Sequence, residues 1–129
     1  MSEKKKILIV DDDQAYGEAL KIVLSSNGYH VNHVLNVRDG RISVEEEQPA
    51  LIIFDVMMDK HTDGFDFCHN LKNDDTYKHI PIIMVTAVTG KTGFKFSPET
   101  DGEYLQADDY VSKPVPSSEL LLRVEKLIG

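Results

Sequence analysis

Ile7-Leu8-Ile9-Val10-Asp11-Asp12-Asp13 is an apolar run that ends abruptly in three carboxylates. Four consecutive branched side chains leave no polar face, so a strand built from them must be covered on both sides. The same signature recurs twice. Leu51-Ile52-Ile53-Phe54 runs into Asp55, and Ile82-Ile83-Met84-Val85 runs into Thr86. Tyr110-Val111 is a shorter version before Lys113-Pro114, and the more polar Tyr29 to Val34 reads as an edge strand. Helical patterns lie between these runs. After Asp13, the residues Tyr16, Leu20, Val23 and Leu24 share one face, and Asn27-Gly28 stops the helix because glycine accepts a left-handed cap. Arg38 to Glu47 is a weaker helix ended by Gln48-Pro49, and Gly64 to Lys72 carries Phe65, Cys68 and Leu71 at helical spacing. Ser117 to Ile128 is the clearest, with Leu120, Val124, Leu127 and Ile128 on one face. Strands alternating with helices specify an α/β fold: a doubly wound parallel sheet with helices on both faces.

The 129 residues, 41% hydrophobic and 28% charged, suit one soluble domain with a real core, and no linker or repeat divides them. A net charge of −8 argues against a nucleic-acid partner, since phosphate backbones demand Lys and Arg. No apolar run is long enough to cross a membrane, and the charged start lacks a signal-peptide core, so a cytoplasmic location is expected. The single cysteine, Cys68, sits among helix-face residues as a small hydrophobe and fits a reducing compartment. The histidines are scattered; His30 and His33 would face opposite sides of a strand, which disfavours a zinc site.

In a parallel sheet Asp11, Asp12, Asp13, Asp55, Thr86 and Lys113 all fall at the carboxyl edge, where ligands of open α/β sheets bind. Clustered carboxylates repel one another unless a cation lies among them, and oxygen-only donors favour Mg²⁺ or Ca²⁺. A carboxylate can also be a nucleophile toward phosphorus, given positive charge and donors around the transferring group.

Four segments together resemble the response-regulator receiver family across essentially the whole chain: Ile7 to Asp13, Leu51 to Met58, Met84 to Ala87 and Ala107 to Pro114. The resemblance implies a single receiver domain over residues 1–129 with a flavodoxin-like five-stranded sheet of order 2-1-3-4-5. It implies that Asp55 is the phosphoacceptor and that Asp11, Asp12, Asp55 and the Met57 backbone carbonyl hold Mg²⁺. Thr86 would be the switch hydroxyl, Lys113 the phosphate-binding lysine, and Tyr110 an aromatic whose rotamer follows phosphorylation. Asp13 matches a position of variable kind and is not expected to be a ligand. The expected partners are a histidine kinase or histidine phosphotransfer protein and a downstream protein target. The expected role is a signalling switch rather than an enzyme, apart from catalysing its own phosphorylation and a slow autodephosphorylation. By the same resemblance Met57 and Val88 border the path of attacking water, and their apolar side chains cannot orient it.

The chain also departs from the family. Asp59 stands where a proline is usual, the stretch from Asp55 to Gly64 is longer, and the fourth helix is atypical. Gly90, Gly93, Pro98 and Gly102 are poor in helix interiors, so residues 90–107 are expected to be loop-dominated, with Phe94 and Phe96 docked on the body or exposed for a partner. Two alternatives compete. A haloacid-dehalogenase-type phosphatase would use Asp11 and Asp13 at alternate spacing, but it leaves Asp55 without a role. A receiver-like interaction module that is never phosphorylated would not need Asp12, Asp55, Thr86 and Lys113 intact.

Overall fold

The computed structural model describes residues 4–55, 67, 69–86, 108–112 and 115–128, with only the main chain of residues 86, 110 and 112. Five strands form one parallel sheet: β1 (Lys6–Val10), β2 (His30–Val34), β3 (Leu51–Asp55), β4 (Ile82–Thr86) and β5 (Asp109–Ser112). Their order is β2-β1-β3-β4-β5, so the polar strand is at an edge and the apolar runs are internal. Three helices have both ends among the described residues, α1 (Gln14–Ser26), α2 (Val37–Glu47) and α3 (Ser117–Ile128), and residues 67 and 69–72 are helical as well. The flavodoxin-like order expected from the resemblance is the one observed.

Alternation along each central strand divides the core into two layers. Leu8, Val10, Ile52, Phe54, Ile82 and Met84 face one side, where Val44 of α2 and the buried Phe67 and Leu71 cover them. Ile7, Ile9, Leu51, Ile53, Ile83 and Val85 face the other, beneath Leu20 and Leu24 of α1 and Leu120 and Val124 of α3. This is why the sequence runs show no polar alternation: both faces of the sheet are dry. Removing each such side chain from water stabilises the fold by about 1.5–3 kcal/mol before chain entropy is counted.

Of the helix face expected at Phe65, Cys68 and Leu71, only Leu71 is among the described residues. Leu71 is buried, but Phe67 is buried with it and stacks on Phe54 with ring centroids 5.3 Å apart. Residues 67 and 71 stand four apart, one turn of the same stripe, so Phe67 adds to the expected Leu71 a core residue that the spacing had not singled out. Phe65 and Cys68 lie outside the described residues.

Local chemistry sets the helix ends. Asp13 caps α1, its carboxylate accepting from the Tyr16 N–H at 3.1 Å. Asn36 does the same for α2, accepting from the Asp39 N–H at 2.8 Å. Gly28 takes φ of +97° just past α1, as the Asn27-Gly28 signal requires. Gln48 ends α2 in the left-handed region at φ 47°.

Candidate functional site at the carboxyl edge of the sheet

The register decides which residues meet. Val10 lies beside Phe54 in the β1–β3 ladder, so the chain leaving β1 at Asp11 emerges next to Asp55, the last residue of β3. Asp55 in turn pairs with Val85, and Thr86 with Ser112. The carboxyl edge thus carries Asp11, Asp12, Asp55 and the main chain of Thr86 side by side. One carboxylate oxygen from each of Asp11, Asp12 and Asp55 lies within 4.8 Å of the others. Asp11 and Asp55 are 2% and 3% exposed, whereas Asp12 is open to solvent. Two buried carboxylates with a third at the mouth form a hard-oxygen donor set of the kind that holds Mg²⁺ or Ca²⁺.

Asp13 is not part of this group. Its side chain faces the backbone of α1 as the N-cap, while its own N–H donates to Asp11 Oδ1 at 2.8 Å. The phosphatase alternative needs Asp13 alongside Asp11 in the pocket, and the structure places its carboxylate at the helix cap instead. Met57, Val88 and Lys113 lie outside the described residues, as do the side chains of Thr86 and Tyr110, Asp59, and residues 90–107 with Phe94 and Phe96.

The structure adds a residue that sequence reasoning passed over. The His33 side chain is 2% exposed. Its Nε2 lies 2.9 Å from the Asp11 carbonyl oxygen, and its Nδ1 lies 3.0 Å from Glu18 Oε2. A carbonyl only accepts, so Nε2 donates. The Asp11 N–H also donates to the Val34 oxygen at 3.1 Å, so β2 holds the Asp11 main chain from both sides. Gly17 of α1 makes room for the ring: a Cβ there would fall 2.1 Å from His33 Cε1 and Nε2. Glycine inside a helix costs about 1 kcal/mol relative to alanine, so the ring's position is maintained against helix propensity. A buried glycine on the inner face of α1 was the available signal, readable only together with His33.

Three further sets of contacts brace the fold away from the acidic group. Lys72 Nζ donates to the Ile80 carbonyl at 2.9 Å and to Asp108 Oδ2 at 2.7 Å, and the same carboxylate oxygen accepts from the Ile82 N–H at 2.8 Å. Arg123 of α3 donates to Asp109 at 2.6 Å, and this hydrogen bond holds the guanidinium pKa above its usual value. The Tyr16 hydroxyl accepts from the Val115 N–H at 3.2 Å, joining α1 to the segment that follows β5.

Comparison with known proteins places this architecture. The model of the response regulator receiver domain matches residues 7–125, and the chain belongs to that family. It is 37% identical over 123 residues to the DNA-binding dual master transcriptional regulator RpaA of Synechocystis, covering 95% of this chain and 48% of that protein. Among solved structures it resembles the signal receiver domain of a signal transduction histidine kinase from Syntrophus aciditrophicus, with a TM-score of 0.79 and 32% identity over 96% of this chain and 89% of that one. The chemotaxis response regulator CheY4 of Vibrio cholerae gives 0.81 and 28% identity, over 96% and 98%. The chain spans about half the length of the curated relatives it matches. It is a receiver of two-component signalling, a switch rather than a classical enzyme, and its acidic pocket is Asp11, Asp12 and Asp55. Among the described residues no helix is long and apolar enough to cross a membrane.

Proposed function

We propose that residues 1–129 act as one receiver domain that accepts a phosphoryl group on Asp55 in a Mg²⁺-dependent reaction. The observation that carries this reading is the meeting of the buried Asp55 carboxylate with Asp11 and Asp12 at the carboxyl edge. Asp11, Asp12, Asp55 and the Met57 carbonyl would hold the cation, which when bound neutralises charge on the pocket and on the incoming phosphoryl oxygens. The donor is a phosphohistidine on a histidine kinase or a phosphotransfer protein. An Asp55 oxygen attacks phosphorus, the new O–P bond forms as the P–N bond breaks, and the imidazole leaves with that electron pair and takes up a proton. The Lys113 ammonium and the Thr86 hydroxyl would surround the phosphoryl oxygens. Drawing Thr86 toward them, with Tyr110 following, would switch a protein-binding surface between two arrangements. Such a switch belongs in the cytoplasm, and its output is contact with a downstream protein rather than with nucleic acid or a membrane.

Intact mass after incubation with acetyl phosphate and Mg²⁺ tests the assignment. The expected result is one added phosphoryl group, absent without Mg²⁺ and absent in Asp55→Asn. A phosphoryl mass retained by Asp55→Asn would place the acceptor elsewhere. A folded wild type that is never phosphorylated, by acetyl phosphate or by a phosphohistidine donor, would make the chain an interaction module.

A further inference from the structure

We propose that His33 is a positioning residue for the cation pocket, acting through the Asp11 main chain and backed by Glu18. The inference rests on the Mg²⁺ reading above and adds to it a residue from the edge strand.

Asp11 and Asp12 are joined by a single peptide unit. That unit is planar and rigid, so fixing the direction of the Asp11 carbonyl also fixes where Asp12 begins. The His33 Nε2–H takes the carbonyl at 2.9 Å, and Val34 accepts the Asp11 N–H at 3.1 Å. The two carboxylates therefore leave a backbone whose twist is set by β2. Without the ring, the carbonyl could rotate toward other donors and carry Asp12 out of reach of Asp11 and Asp55. The ring in turn is oriented from behind by Glu18 Oε2 at 3.0 Å on Nδ1. Its slot is the missing side chain of Gly17, where a Cβ would lie 2.1 Å from ring atoms. The arrangement thus draws on three positions, Gly17, Glu18 and His33, on two elements, and it converges on the one carbonyl that joins the two acidic residues. Groups that orient metal ligands from behind commonly change metal affinity by about 10- to 100-fold when removed.

The test is Mg²⁺ affinity of the full chain by calorimetry at constant ionic strength, with Mg²⁺-free thermal melting to verify folding. His33→Gln and His33→Asn form the informative pair. Glutamine extends its amide to the place of Nε2 and keeps a donor for the carbonyl, whereas the shorter asparagine reaches only the place of Nδ1. We expect His33→Asn to bind Mg²⁺ about tenfold more weakly than wild type and His33→Gln to recover most of the loss. Glu18→Ala, on a half-exposed surface residue, should weaken binding about twofold to threefold, and should add nothing when His33 is already asparagine. Equal affinities for His33→Asn, His33→Gln and wild type would overturn the inference while leaving the Mg²⁺ site standing. A Glu18→Ala effect that persists undiminished in the His33→Asn background would overturn it as well. A wild type that binds no Mg²⁺ would remove the cation reading and this inference with it.

Discussion

At the scale of the residue, the pocket is a conflict of like charges that the fold maintains. Asp11 and Asp55 are almost wholly buried, and Asp12 brings a third carboxylate to within 4.8 Å of both. Millimolar Mg²⁺ should raise the melting temperature of the unphosphorylated chain, because a cation bound only by the folded state adds stability by mass action. At ten times its Kd the gain is about 1.4 kcal/mol. Asp12→Ala should melt higher than wild type in the absence of Mg²⁺, through relief of repulsion, and should lose the Mg²⁺ response. Na⁺ at matched ionic strength serves as the control, because general screening of a chain with net charge −8 would act equally with either salt. An identical response to the two salts in wild type would mean that no specific site is present. The acidic residues and their clustering were legible in the sequence, since each ends an apolar run. His33 was not. A histidine on an edge strand looks alike whether its ring faces water or the underside of a helix, and only the fold brings it to Gly17.

At the scale of the element, short polar contacts decide where each piece begins and how it is braced. Asp13 caps α1, so Asp13→Ala should cost about 1 kcal/mol of stability in urea unfolding. Because its carboxylate faces α1, Asp55 should still be phosphorylated in that variant, and loss of phosphorylation at full folding would return Asp13 to the pocket. Lys72 ties the chain before β4 to Asp108 ahead of β5. Lys72→Met keeps the aliphatic stem and deletes the ammonium. The expected loss is about 1 kcal/mol, at the low end for a charge-assisted bond because the Asp108 carboxylate is partly solvated. No change in the urea midpoint would show the bridge to be passive. Such braces could not be read in advance, because Lys72 and Asp108 are distant in sequence and each is an ordinary surface residue until β4 and β5 align. The helices themselves were legible from their apolar spacing, except that Phe67, which that spacing had not singled out, joins the expected Leu71 in the core.

At the scale of the whole molecule, strand directions and layers follow from four runs of apolar residues, and this part of the architecture was the most legible. An alternating sequence would have allowed a half-solvated sheet; Leu51-Ile52-Ile53-Phe54 allows only a covered one. Phe54 lies at the heart of the layer beneath α2, stacked on Phe67. Phe54→Ala should cost about 3–5 kcal/mol, enough to lower the urea midpoint markedly and to loosen the strand that ends in Asp55. A loss under 1 kcal/mol would mean that the layer collapses around the gap. The strand order itself was available only through the family resemblance, because apolar content says that a strand is internal but not beside which neighbour.

The sheet has one more property, and it bears on how the molecule reaches this state. Every strand pair is parallel, so no two neighbours can be joined by a tight turn, and each must wait for an intervening helix or loop to be gathered in. Closing those loops costs entropy before any ladder rewards it, which makes such topologies slower to fold than helical bundles of equal length. The smallest closure joins β1 to β2 across α1, and the apolar face of α1 is the first cover available to Ile7 and Ile9. Nucleation in that half would make a kinetic asymmetry. Leu24→Ala, on the buried face of α1, should slow refolding, whereas Val124→Ala, on the buried face of α3, should chiefly hasten unfolding. Chevron plots of the two variants would separate the cases, and a refolding arm slowed equally by both would place the nucleus across the whole sheet.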